Sequence, residues 1–126
     1  MLAGMSSAPP VLVHMCAARE WSSARQRGGF RPEAAPGFIH LSTPEQIHLP
    51  ANRLFSGRRD MVLLYVDAAA LDSPVRWEPG TVDDPDRMLF PHLYGELPAR
   101  AVIKVVAYLP APDGSFRPIS RPQSSR

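Results

Sequence analysis

Three short stretches of this chain set two reactive side chains one residue apart: His40 and Ser42 in "IHLS", Arg76 and Glu78 in "VRWEP", His92 and Tyr94 in "PHLYG". In an extended backbone, residues two apart project to the same face. Each stretch therefore offers a polar pair on one face and a bulky apolar or aromatic neighbour on the other. Burying such groups costs free energy unless they find partners. The economical arrangement is one hydrogen-bonded, partly hydrated concavity on which these faces converge. His14, near the end of "PVLVHM", shares its strand face with Leu12 and Cys16 and is a further contributor.

Each residue also has a plainer role. His40 can bridge strands through its ring nitrogens, and Ser42 with Thr43 can cap a following helix. Arg76 and Glu78 can form a surface ion pair of small energetic weight. His92, after Pro91, can belong to a rigid turn, and Tyr94 to the core with its hydroxyl paired. His48 falls in a proline-interrupted helix and is expected to be exposed. Trp77 and Phe90 read as cleft walls or core.

Several chemistries lack their spacing. No histidine pair sits four apart around a glutamate as a zinc hydrolase requires, and sequence spacing lends no support to a site from His14, His40 and His92. Ser42 has no glycine-flanked nucleophile elbow. Cys16 follows a strand and reads as packing. Neither a phosphate-cradling glycine loop nor a dinucleotide fingerprint is present. The remaining set suits a polar, phosphorylated small molecule. Arginine matches phosphate oxygens in a forked geometry, imidazole and phenol donate to or stack on sugar and base, and a carboxylate orients a ribose hydroxyl.

The elements that position these groups must be short, because 15 prolines and 8 glycines interrupt the 126 residues. That length implies one domain, expected over residues 10–109, after a flexible leader at 1–9 and before a disordered tail at 110–126. Met5 is an alternative start. "PVLVHM" reads as the first strand and "CAAREWSSARQR" as a helix stopped by Gly28-Gly29, with Trp21 facing the core. "FIHL" is a short strand. Thr43, Pro44 and Gln46 form a capping-box pattern, after which Pro50 limits the helix to one turn before a second runs through Phe55. "MVLLYVD" is the central strand, "VRWEP" and "LFPHLYG" are short extended segments, and "ARAVIKVVAYL" is the last strand. "GTVDDPDR" reads as an exposed, acidic, mobile loop.

Compartment and partners follow from composition. One cysteine excludes an internal disulfide and fits a reducing compartment, most simply the cytoplasm. No secretory signal pattern and no membrane-spanning run is present. The net charge is only +2 and the arginines are scattered, so a nucleic-acid footprint is not expected.

The succession "GFIHLST", "EQ", "LFSG", "VLLYVD", "RWE", "FPHLYG" and "AVIKV" over about residues 11–107 closely resembles the bacterial family catalogued as domain of unknown function 952. That family is similar in fold to the ADP-ribosyltransferases. The resemblance implies a small α+β domain with two short mixed or antiparallel sheets around a cleft, and a few short helices. It implies NAD or a related nucleotide as substrate, with no other cofactor assigned. Glu78 and His40 are then the candidate catalytic residues, Glu78 stabilising the positive charge that glycosidic cleavage develops. His14, Ser42, Thr43, Arg53, Arg76, His92 and Tyr94 are the candidate ligand-binding residues, with no metal. The acidic motif is Arg76-x-Glu78, without the preceding glutamate or glutamine of protein-modifying members. The alternative is a non-catalytic module that senses a nucleotide or other phosphorylated metabolite.

Overall fold

The computed structural model describes residues 11–80 and 88–119. The run "MVLLYVD" forms strand β4 (Met61–Asp67), between β1 (Val11–Ala17) and β8 (Val102–Ala107), both antiparallel to it. Its continuous apolar character has a direct cause: both faces of this sheet are covered. On one face Val13, Met15, Ala17, Met61 and Leu63 pack with Ile47, Ala51, Tyr108 and Phe116. On the other, Leu12 and Val66 pack with Ile39, Leu41, Leu93, Leu97 and Ala101.

Helix α1 (Ala18–Arg27) follows β1 directly. The Glu20 carboxylate accepts from the backbone N–H of Ala17 at 2.8 Å, supplying the reciprocal half of a capping box. The helix ends on Gly28 at φ 100°, a left-handed conformation that glycine adopts without a Cβ penalty. Trp21 is half-buried and stacks on Phe30 at 6.3 Å. The strand after it, β2 (Gly29–Phe30), pairs with β7 (Leu97–Pro98). Gly29 sits at φ 147° where a Cβ would run into the Leu97 and Pro98 backbone.

The third sheet joins β3 (Ile39–His40), β6 (Leu89–Leu93) and β5 (Val75–Pro79), with β6 in the middle. The molecule is thus α+β, but with three sheets rather than two. All their pairings are antiparallel, none mixed. The segment between Ile39 and Ser42 connects two of them. Ile39 and His40 pair with β6, whereas Ser42 exchanges backbone hydrogen bonds with Val13 of β1 at 2.8 and 2.9 Å. His40 therefore lies at the seam between sheets.

Thr43 and Gln46 make the expected reciprocal bonds, 3.0 and 3.2 Å long, around a turn. Helix α2 (His48–Phe55) starts beyond it, with Pro50 inside its first turn, where no intrahelical N–H is required. His48 is half-buried rather than exposed.

The boundary expected at residue 109 is corrected. Residues 110–119 form an arm that packs on the domain, with Phe116 only 2% exposed. The Asn52 side chain donates to the Phe116 carbonyl at 2.9 Å and accepts from its N–H at 2.7 Å. The Tyr108 hydroxyl donates to the Arg117 carbonyl, and Gly57 N–H to the Gly114 carbonyl. Low hydrophobicity misled the composition argument, because one phenylalanine and backbone-directed hydrogen bonds suffice to anchor ten residues. The leader at 1–9, the remainder of the tail from 120, and residues 81–87 of the acidic loop lie outside the described residues. Among the described residues no helix is long and apolar enough to cross a membrane.

Candidate functional site

Pairing register explains why the polar residues meet. His40 lies opposite His92, and His92 opposite Arg76, so the three form one row across the third sheet. Period-two alternation puts Phe38, Glu78 and Tyr94 on the same face. Each two-residue pair read from sequence therefore contributes to one cluster.

His92 is the centre of that cluster and is 3% exposed. Phe38 stacks on its ring at 4.3 Å, and the His40 ring meets it edge-on at 5.5 Å. Its Nδ1 lies 2.7 Å from Glu78 Oε1, and the Tyr94 hydroxyl donates to the same oxygen at 2.7 Å. Those two hydrogen bonds, from Tyr94 first and then His92, hold the Glu78 carboxyl below its ordinary value. The same bond to Glu78 pushes the Tyr94 phenol up. An ionised carboxylate only accepts, so Nδ1 of His92 carries the hydrogen. The Arg76 guanidinium lies over the Tyr94 ring, 4.9 Å from its centroid.

Beside the cluster lie two adjoining cavities. The first, about 170 Å³, is walled by His40, Ser42, Arg53 and His92, with Leu41, Leu54 and Phe90. The second, about 190 Å³, is apolar for most of its wall, through Val13, Met15, Ile47, Ala51 and Phe55, with His14 as a polar member. His40, Ser42, Pro50 and Leu54 belong to both. His14 Nδ1 is 2.9 Å from the His40 carbonyl, which can only accept, so this ring too is protonated on Nδ1.

The structure brings His14, His40, Ser42, Arg53 and His92 to the cavity walls. Glu78 and Tyr94 stand behind His92 rather than in either wall, and Arg76 lies outside them. Thr43 is in neither wall, because its hydroxyl accepts from the Gln46 N–H in the turn. Sequence reasoning missed Phe38, although its position two before His40 carried the signal, and it missed Pro50 and Leu54 of α2. Among the described residues no cluster of three or more histidine, cysteine or acidic side chains is placed to hold a metal ion. Burial pushes the Cys16 thiol up to about 12, which keeps it unreactive.

Burial lowers the affinity of His14 and His40 for a proton, assisted at His40 by the charges of His92 and Arg53. The unfolded chain protonates both near 6.5, the folded one only at lower pH. Unfolding thus takes up protons, and stability that is complete above 6.5 is lost as pH falls through the folded values. The thermal midpoint is expected to drop below about pH 6.5 and to drop less steeply in His14→Gln. Glu78 adds a separate loss that begins only below 4.5.

This is a small α+β domain whose distinguishing feature is a histidine-rich double cavity at a seam between two sheets. Its residues 15–105 match the family described as Protein of unknown function (DUF952), and the chain belongs to that family. It is similar to Protein CC0527 from the bacterium Caulobacter crescentus, whose crystal structure aligns at 32% identity and a TM-score of 0.72, covering 85% of this chain and 93% of that one. The solution structure of CC0527 aligns at 30% identity and a TM-score of 0.70, covering 86% and 93%. No curated protein matches.

Proposed function

We propose that the double cavity binds NAD or a related nucleotide and transfers or hydrolyses its ADP-ribosyl group, in the manner of the ADP-ribosyltransferase fold that the sequence resembles. The observation that carries this reading is the division of the site. One chamber is mainly apolar and suits a flat base. Its neighbour has Arg53, Ser42, His40 and His92 in its wall and suits sugar and phosphate. His14 and His40 hold the ribose and phosphate groups, Arg53 the pyrophosphate, and Tyr94 flanks the nicotinamide side. A cytoplasmic place of action belongs to the same proposal.

One observation favours a non-catalytic nucleotide sensor as a second reading. Glu78 Oε1 already accepts from both His92 and Tyr94, which leaves it less able to face a developing positive charge. Calorimetry with NAD, ADP-ribose and mononucleotides, run beside an assay for released nicotinamide, separates the readings. For the enzyme, NAD binds and nicotinamide is released, and Glu78→Gln abolishes release while affinity changes little. Binding without release over hours supports the sensor. A Glu78→Gln variant with undiminished turnover removes this residue from the chemistry.

A further inference from the structure

The ring of His92 has two nitrogens, and only one of them is accounted for. Nδ1 donates to Glu78, while Nε2 is sealed from bulk water and has no hydrogen-bond partner among the described residues. A buried polar atom left unpaired costs about 1–3 kcal/mol, so it calls for an explanation. Two features narrow it. The His92 ring is part of the wall of the first cavity, together with His40, Ser42 and Arg53. The ring is also fixed, stacked on Phe38 and tied to Glu78, so it cannot turn to find another partner.

With the hydrogen on Nδ1, Nε2 of the neutral ring offers a lone pair. The opposite assignment fails on two counts: Nδ1 would face an acceptor-only carboxylate without a hydrogen, and Nε2 would be a buried orphan N–H, the rarer kind of unpaired group. A lone pair does not hold a phosphate oxygen, which is itself an acceptor. It holds a hydroxyl.

We propose that His92 Nε2 accepts a hydrogen bond from a sugar hydroxyl of the bound ligand, and that Glu78 is a positioning residue that sets the ring tautomer for this contact. The proposal rests on the nucleotide reading and adds an orientation to it: hydroxyl toward His92, phosphate toward Arg53. It also assigns Glu78 a role that does not require it to touch the ligand.

The groups facing His92 are Glu78 and Tyr94 on one side and His40 and Arg53 on the other, and the test is spectroscopic so that their titrations are seen separately. The full chain with ¹⁵N-labelled histidine is examined by long-range ¹H–¹⁵N correlation at about pH 8, above the ordinary histidine range, before and after addition of ADP-ribose. Backbone amide shifts at His40 and Arg53 are followed on the same sample. The expected result is a His92 ring protonated on Nδ1 alone, with its Nε2 resonance moving upfield on binding. In Glu78→Gln the tautomer preference weakens and ADP-ribose affinity falls at least tenfold, and Glu78→Asp restores part of both.

A free-state ring protonated on Nε2 would overturn the proposal. So would ADP-ribose shifts at His40 and Arg53 without movement of His92 Nε2, an outcome that leaves the nucleotide reading intact. No shift anywhere in the cleft would overturn both.

Discussion

Replacing Phe116 with alanine is expected to lower folding stability by about 3–5 kcal/mol, the range for deleting a buried aromatic ring. The side chain is 2% exposed, its ring packs 4.9 Å from that of Tyr108, and its backbone is held on both sides by Asn52. Equilibrium urea unfolding measures the loss, with Arg117→Ala as control. Arg117 is exposed, and only its carbonyl is engaged by Tyr108, so that change is expected to stay within about 0.5 kcal/mol. A loss below about 1 kcal/mol for Phe116→Ala would mean that the arm contributes little to the fold.

The consequence reaches the site. Asn52, which holds the arm, is next in sequence to Arg53, which lines the first cavity, and both belong to α2. Ala51 and Ile47 on the same segment pack in the core cluster that contains Phe116. The arm therefore presses from behind on the helix that forms one wall of the cleft. Truncating the chain after Leu109 is expected to weaken ligand binding as well as stability.

The second large effect concerns affinity. Arg53→Ala is expected to weaken nucleotide binding by about ten- to a hundredfold. A hydrogen bond to a charged group contributes about 1.5–3 kcal/mol, and each 1.4 kcal/mol is a factor of ten. Arg53 is exposed, so stability of the free protein should barely change. Calorimetry on the variant reads the first quantity and urea unfolding the second. Unaltered affinity would place the phosphate groups elsewhere, and a large stability loss would make Arg53 a structural residue.

Much of this site was legible in the sequence, for one reason: strand alternation is a local property. The spacing of His40 with Ser42, Arg76 with Glu78, and His92 with Tyr94 announced shared faces before any pairing was known. The partners were not legible. Nothing local says that His92 sits between His40 and Arg76, or that Glu78 accepts from His92 and Tyr94 rather than pairing with its neighbour Arg76. Such choices depend on which strands adjoin, and β6 between β3 and β5 is a tertiary outcome.

The same boundary between local and distant information explains the other results. Gly28 ended α1 as read, and Thr43 with Gln46 closed their turn, because those contacts span only a few residues. Their success also removed Thr43 from the site, since capping engaged its hydroxyl. The arm was misread because its anchor, Asn52 on Phe116, spans 64 residues. The single phenylalanine in an otherwise polar tail was the available sign. The third sheet was missed because β2 and β7 have only two residues each and leave no periodic pattern.

The central claim is that side chains from β1, the 39–42 seam, α2 and β6 enclose one ligand-binding hollow. The most direct measurement is a thermal-shift panel of NAD, ADP-ribose and mononucleotides on wild type and His40→Ala, since His40 borders both chambers. A ligand present at a hundred times its dissociation constant adds about 2.7 kcal/mol to apparent stability by mass action. The account expects at least one nucleotide to raise the wild-type midpoint and the shift to vanish in the variant. A panel in which no nucleotide stabilises the protein, or a shift that survives loss of the imidazole unchanged, would contradict it.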